Sequence, residues 1–195
     1  MGILALDAVL LPSEYMMDMA IEMNKKIKSS ARNEIKLDKE YCLPHITLAM
    51  GCAEEKNMKG IRGLLREIAG EFSVFNLKTI PAIEKKAWFR IEQDEKLFSL
   101  HKRIMDRLHP YFTYEADKFM FYKKKGEVIN DMAVDYVKNF PLKSALENYT
   151  PHITMGSHDF EIALPEIEFS SRELALCHLG NYCTCRKILL SFNLI

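Results

Sequence analysis

The tetrapeptide Pro-His-Ile-Thr occurs once in each half of the chain, at residues 44–47 and 151–154. On an extended strand, successive side chains point to opposite faces, so the histidine and the threonine of each copy project together while the isoleucine points away. A proline directly before the histidine suits the first residue of a strand, because no backbone donor is needed there. The repeat therefore predicts two strands that each present an imidazole and a hydroxyl to a shared cleft.

Around the two motifs, the order of the predicted elements is similar in both halves of the chain. Apolar residues at helical spacing indicate helices, and shorter apolar runs between them indicate strands. Residues 73–80 and 86–91 are predicted to pair across a turn near Pro81. We expect an α+β fold with two closely packed lobes, each containing one motif strand. The helices are predicted over residues 14–29, 57–70, 94–109 and 128–140, and further strands over residues 2–10, 166–169, 173–179 and 187–194.

The charge balance limits the partners of this chain. It has 27 lysines and arginines against 27 aspartates and glutamates, so no overall field attracts a long nucleic acid or an anionic membrane. No apolar stretch is long enough to span a bilayer, and the N-terminal segment lacks the basic start of a signal peptide. We expect a monomeric, cytoplasmic protein whose partner is a small molecule or a chain terminus.

The five cysteines are Cys42, Cys52, Cys177, Cys183 and Cys185. An odd number in a chain without an export signal favours reduced thiols. No Cys-x-x-Cys pair is present, so buried structural thiols are favoured over a zinc site. Whether Cys177, Cys183 and Cys185 bind a metal stays open at this point, and no metal is predicted.

The two motifs together hold the groups that phosphodiester chemistry needs. In-line displacement at phosphorus puts the attacking and leaving oxygens on opposite sides, so one imidazole takes a proton from water while the other protonates the leaving oxygen. Histidine suits both tasks because its ordinary pKa lies near neutrality. We expect His45 and His152 to be the acid and the base, in an order that the sequence does not give. Thr47 and Thr154 would donate hydrogen bonds to the phosphate oxygens, and no cofactor is required.

The segments Pro-His-Ile-Thr-Leu at residues 44–48 and Pro-His-Ile-Thr-Met at residues 151–155 resemble the two His-x-Thr-x signatures of the 2H phosphoesterase superfamily. The most similar group is that of the 2′-5′ RNA ligase-like proteins, which include RNA 2′,3′-cyclic phosphodiesterases. The resemblance implies one bilobal domain over residues 1–195, with two pseudo-symmetric lobes whose antiparallel sheets line a central cleft and whose helices pack outside. It also implies metal-independent hydrolysis of a 2′,3′-cyclic phosphate, on a small nucleotide or at an RNA terminus.

The sequence departs from these RNA enzymes just after the second motif. They often carry an arginine there, whereas this chain continues Met155-Gly156-Ser157, so the reaction type is predicted more firmly than the size of the substrate. Three alternatives stay open: a non-catalytic nucleotide- or RNA-binding module that uses the same cleft, a 2′-5′ phosphodiesterase, and a metalloprotein in which Cys42 joins the two motif histidines.

Four further residues are candidate substrate contacts. Tyr41 and Tyr149 lie shortly before the two motif histidines, where a ring at the cleft mouth could stack on a base. Tyr122 and Lys123 belong to the one segment that mixes aromatic side chains with a run of lysines.

Overall fold

A computed structural model describes residues 2–30, 33–84, 87–157 and 162–195. Within these ranges the chain forms antiparallel strands and four α-helices, which confirms the predicted α+β class. The strands are β1 Ile3–Pro12, β2 Ile46–Glu54, β3 Phe75–Lys78, β4 Ala82–Glu84, β5 Trp88–Arg90, β6 His152–Thr154, β7 Ile162–Leu164, β8 Glu168–Leu179 and β9 Cys185–Asn193; the helices are α1 Glu14–Ser30, α2 Met58–Ala69, α3 Glu95–Leu108 and α4 Asp131–Lys143.

Strand β1 lies at the centre of a five-stranded antiparallel sheet. It is buried from Ala5 to Pro12, which explains why its sequence is an almost continuous apolar run instead of an alternation. β2 pairs along one edge of β1, and β8 pairs along the other. β3 and β9 in turn pair with β8.

The two motif strands belong to different sheets. β2, which follows His45, is part of the five-stranded sheet, whereas β6 pairs only with β5 in a two-stranded sheet of the described chain. A second short pair joins β4 to β7. Both motifs therefore lie on antiparallel strands, as predicted, although the sheets that carry them differ in size.

The helices begin and end close to the predicted positions. The Asp94 side chain accepts a hydrogen bond from the Leu97 backbone N–H at 2.6 Å and caps α3. Asn130 does the same for α4 through the Ala133 N–H at 2.7 Å, so this helix begins later than predicted. Both helices contact β2. No helix in the described part of the chain is long and apolar enough to cross a membrane.

Two strand predictions are correct only in part. The expected hairpin between residues 73–80 and 86–91 is reduced to one bridge between Thr79 and Ile91, because β3 pairs with β8 and β5 pairs with β6; Lys86 itself lies outside the described residues. The two strands predicted over residues 166–169 and 173–179 form the single strand β8. Its Ser171, fully buried, donates a hydrogen bond to the Leu11 carbonyl, so this polar position does not interrupt the strand.

The prediction that all cysteines are reduced was wrong. Cys177 on β8 and Cys185 on β9 form a disulfide, because these adjacent strands bring their Cα atoms to 5.4 Å. Cys42, Cys52 and Cys183 are free and buried, and burial raises the pKa of the Cys42 and Cys52 thiols to about 11 and about 12. Among the described residues, no group of three or more His, Cys, Asp or Glu side chains is placed to hold a metal ion.

Candidate active site

The two motif histidines have matching backbone environments. The Nδ1 atom of His45 lies 2.7 Å from the Leu43 carbonyl oxygen, and that of His152 lies 2.7 Å from the Thr150 carbonyl oxygen. A carbonyl oxygen only accepts hydrogen bonds, so Nδ1 carries a hydrogen in both rings. Nε2 is then the nitrogen with which each ring exchanges protons.

Both motifs contribute to one cavity of about 270 Å³. His45, Thr47, His152 and Thr154 all line it. The isoleucine between each pair is fully buried on the other side of its strand, as the period of two predicts. The shared cleft predicted from the repeat is therefore present.

Aromatic side chains that the sequence did not single out also line this cavity. Trp88, the single tryptophan of the chain, lies opposite Thr154 in the β5–β6 pair, and its ring centroid is 4.3 Å from that of His152. Tyr136 of α4 and Tyr182 also line the cavity. Since the ring of Trp88 reaches the site through pairing between distant segments, no local pattern marked it.

A buried carboxyl supports the first motif. Asp7 Oδ2 accepts a hydrogen bond from Thr47 Oγ1 at 2.8 Å and lies 3.6 Å from His45 Nε2. Burial raises the pKa of Asp7 well above its usual range. Burial also lowers the pKa of His45, although its hydrogen bond to the Leu43 carbonyl opposes this shift. The signal in the sequence was a single acidic residue inside an otherwise apolar strand.

A β-bulge shapes the strand of the first motif. The register between β1 and β2 shifts between Ala8 and Val9, so Leu48 has no partner of its own in β1. Two side chains bond to the carbonyls at this point: Tyr149 Oη donates to the Thr47 oxygen at 3.1 Å, and His101 Nδ1 lies 2.7 Å from the Leu48 oxygen. Bulges of this kind redirect side chains next to functional sites.

His101 and Tyr149 form a stacked pair behind the first motif. Their ring centroids are 3.8 Å apart and the rings are nearly parallel. His101 Nε2 accepts a hydrogen bond from the Leu146 N–H at 2.9 Å, so both ring nitrogens of this buried histidine are bonded. Tyr149, predicted as a substrate contact, is only 8% exposed, and one face of its ring lies against His101.

Two asparagines hold the chain that follows the second motif. Asn24 of α1 and Asn33 both donate from Nδ2 to the Met155 carbonyl oxygen, at 2.6 and 3.1 Å. Asn24 also accepts a hydrogen bond from the Leu37 N–H, and Leu37 lines the cavity. Asn33 and Leu37 are thereby fixed against the end of β6.

Solved structures with the same architecture include proteins from two bacteria. TT0787 of Thermus thermophilus aligns over 98% of this chain and 98% of its own, with a TM-score of 0.61 and 14% identity. LigT of E. coli complexed with phosphate aligns over 100% of this chain and 99% of its own, with a TM-score of 0.57 and 13% identity. This chain has the LigT fold. LigT complexed with 3′-AMP aligns over 99% of both chains, with a TM-score of 0.52 and 13% identity.

The fold expected from the two motifs is confirmed by these alignments. No protein-family model matches the sequence, and no curated protein matches it. The likeness to LigT is therefore one of backbone path, and a shared fold alone does not establish an activity.

In this LigT fold, a second cavity of about 240 Å³ adjoins the first. The two share Thr47, Trp88, Tyr136 and His152. The second is otherwise lined by Phe140, by Tyr149, which was predicted as a substrate contact, and by polar residues from the end of α4 and the turn after it, among them Lys143, Ser144 and Asn148. The motif residues thus lie between two spaces.

The other predicted contacts lie elsewhere. Tyr41 and Tyr122 line a separate cavity of about 310 Å³ together with Arg186 and Lys187. The ammonium group of Lys124 lies over the Tyr41 ring, 4.1 Å from its centroid. Lys123 is exposed, and it is not among the described residues that line the motif cavity.

Proposed function

We propose that this chain is a metal-independent phosphodiesterase of the 2H type that hydrolyses a 2′,3′-cyclic phosphate, on a small nucleotide or at an RNA terminus. The observation that carries the proposal is that both histidines, with Nδ1 anchored to a carbonyl, and both threonines line one cavity. One Nε2 takes a proton from water as the water oxygen bonds to phosphorus. The other protonates the sugar oxygen as its bond to phosphorus breaks, and a phosphomonoester remains.

The surroundings of the four motif residues support a nucleotide substrate. Trp88, Tyr136 and Tyr182 give the cavity aromatic surface on which a base can stack. Threonine hydroxyls are suited to donate to non-bridging phosphate oxygens. LigT, whose fold this chain shares, has been solved with phosphate and with 3′-AMP, which agrees with a phosphate-binding cavity between the motifs.

The test is a substrate panel with the purified protein. Adenosine 2′,3′-cyclic phosphate, an RNA ending in a 2′,3′-cyclic phosphate and ADP-ribose 1″,2″-cyclic phosphate are each incubated with the wild type, and products are followed by ³¹P NMR. We expect hydrolysis of at least one of them, an unchanged rate in EDTA, and losses of about a thousandfold or more in His45→Ala and His152→Ala.

His109→Ala is the matched control, because this histidine is exposed at the end of α3, and it should hydrolyse at the wild-type rate. Near-complete activity in either motif variant would contradict the two-histidine mechanism. Binding of the nucleotides without turnover would favour the non-catalytic binding module instead.

A second candidate substrate is a 2′-5′-linked oligonucleotide. The adjoining cavity favours it, because a linear diester has a group on each side of the phosphate and the motif residues lie between two spaces. Including a 2′-5′ adenylate dimer in the panel compares the two substrates directly.

A further inference from the structure

Asp7 is a carboxyl group in the middle of the buried central strand. It is fully buried, and within the sheet it lies opposite Met50 of β2 and Cys177 of β8. Its Oδ2 faces the first motif, whereas its Oδ1 has no hydrogen-bond partner among the described residues. An unpaired carboxylate oxygen away from water is costly, so this arrangement calls for a reason.

The hydrogen bond between Asp7 and Thr47 restricts what Thr47 can do. A threonine hydroxyl has one hydrogen, and an ionised Asp7 can only accept that hydrogen across the 2.8 Å between Thr47 Oγ1 and Asp7 Oδ2. That hydrogen cannot reach a phosphate oxygen at the same time. A protonated carboxylic acid can donate, whereas a carboxylate only accepts. If Asp7 holds the proton, it donates to Thr47 Oγ1, and the hydroxyl hydrogen can turn to the cavity.

We propose that Asp7 acts as a neutral carboxylic acid, a positioning residue that donates to Thr47, aims the Thr47 hydroxyl at the phosphate and leaves His45 uncharged as the general base. This inference rests on the proposed function. An ionised Asp7 would place a negative charge 3.6 Å from His45 Nε2 and beside an anionic ester. A neutral Asp7 avoids the repulsion between a carboxylate and the anionic ester. It also fixes the direction of two hydrogen bonds, from Asp7 Oδ2 to Thr47 Oγ1 and from Thr47 Oγ1 to the phosphate.

The electrostatic environment of Asp7 agrees with the neutral form. Burial raises the pKa of Asp7 and lowers that of His45, so both groups favour their uncharged states. Tyr136 of α4, Tyr149 behind the motif and Cys183 of the turn before β9 also interact with Asp7. Burial raises the pKa of each of these three groups, so they carry no charge near neutrality.

The proposal assigns the two proton-transfer roles. His45 Nε2 accepts a proton from water while the water oxygen bonds to phosphorus. The bond from phosphorus to the sugar oxygen breaks, and His152 supplies the proton to that oxygen. Asp7 keeps its own proton throughout, and after product release solvent returns the proton from His45 to His152.

The test compares Asp7→Ala and Asp7→Asn in the wild-type background and in Thr47→Val, with kcat and KM measured on a 2′,3′-cyclic nucleotide across pH. Alanine should lower kcat/KM about tenfold or more, because Thr47 loses its donor. Asparagine should restore it to within about threefold of wild type, because its amide N–H₂ donates as the acid does. In Thr47→Val the two substitutions should be equivalent, since the acceptor hydroxyl is gone.

The pH profile separates this role from a merely structural one. An amide cannot ionise, so Asp7→Asn should lose less activity at alkaline pH than the wild type. If Asp7→Asn is as impaired as Asp7→Ala, the carboxylate is the working form and the proposal is overturned.

A second measurement needs no turnover. In protein labelled with ¹³C at the aspartate carboxyl, the Asp7 signal is identified by its loss in Asp7→Asn. We expect the chemical shift of a protonated carboxyl at neutral pH, and the shift of a carboxylate there would overturn the proposal. A wild type that is inactive on every cyclic phosphate would refute the proposed function, while this spectrum would still decide the state of Asp7.

Discussion

At the scale of single residues, Asp7 makes the free energy of unfolding depend on pH. In the unfolded chain this carboxyl loses its proton near its ordinary pKa of 3.8, whereas burial raises the pKa in the folded protein. Between these two values the folded state binds more protons than the unfolded state, so stability falls as the pH rises. The loss is at most about 1.4 kcal/mol per pH unit.

Asp7→Asn removes this dependence. The free energy of unfolding of the variant minus that of the wild type should therefore increase with pH from about pH 4 upward, and stop increasing above the folded-state pKa of Asp7. Urea denaturation at a series of pH values measures it, and the other titrating groups cancel because both proteins share them. Parallel stability curves would show that Asp7 has the same pKa folded and unfolded.

The residues that could be predicted from the sequence are those whose side chains follow from local geometry. The period of two places His45 with Thr47 and His152 with Thr154, and the cavity has all four. Asp7 and Trp88 escaped prediction for the opposite reason. Their contacts with the motif residues depend on which strands pair with β2 and β6, and pairing between distant segments is not encoded within a few residues.

At the scale of elements, the bulge in β2 depends on support from outside the strand. The Tyr149 hydroxyl bonds to the Thr47 carbonyl, and its ring stacks on His101. Tyr149→Phe keeps the stacking and removes one buried hydrogen bond, so we expect a loss of about 1–2 kcal/mol in unfolding free energy. Tyr15→Phe is the matched control, because Tyr15 is 59% exposed.

Thermal or urea unfolding of both variants measures this difference. The Tyr149 hydroxyl also holds the backbone of Thr47, a residue of the first motif. We therefore expect Tyr149→Phe to lower kcat more than it raises KM. An unchanged stability, equal to that of Tyr15→Phe, would mean that water replaces the hydroxyl at the bulge.

The helices and strands were easier to predict than the pairing between strands. The helices follow from apolar spacing, although the Asn130 cap starts α4 three residues later than predicted. The pairing of β3 with β8 and of β5 with β6 joins segments far apart in the chain, and the local hairpin predicted for them is limited to the bridge between Thr79 and Ile91. The disulfide between Cys177 and Cys185 depends on the same kind of information, namely the register of β8 against β9.

At the scale of the whole molecule, the candidate site exists only where two sheets meet. Thr47 belongs to the five-stranded sheet and Thr154 to the two-stranded one. A ligand that bridges the two motifs binds the folded chain and not the unfolded one. It therefore stabilises the entire fold, by about 2.7 kcal/mol at a concentration a hundred times its Kd.

For a chain of this size, that stabilisation raises Tm by roughly 5–10 °C. We expect 3′-AMP to produce such a shift in a thermal unfolding experiment, and Thr47→Val or Thr154→Val alone to remove most of it, since each deletes the hydroxyl of one sheet. Thr113→Val, at an exposed position, should keep the full shift. If either motif variant also keeps it, the nucleotide is held by one sheet, and the two motifs do not form a joint phosphate site.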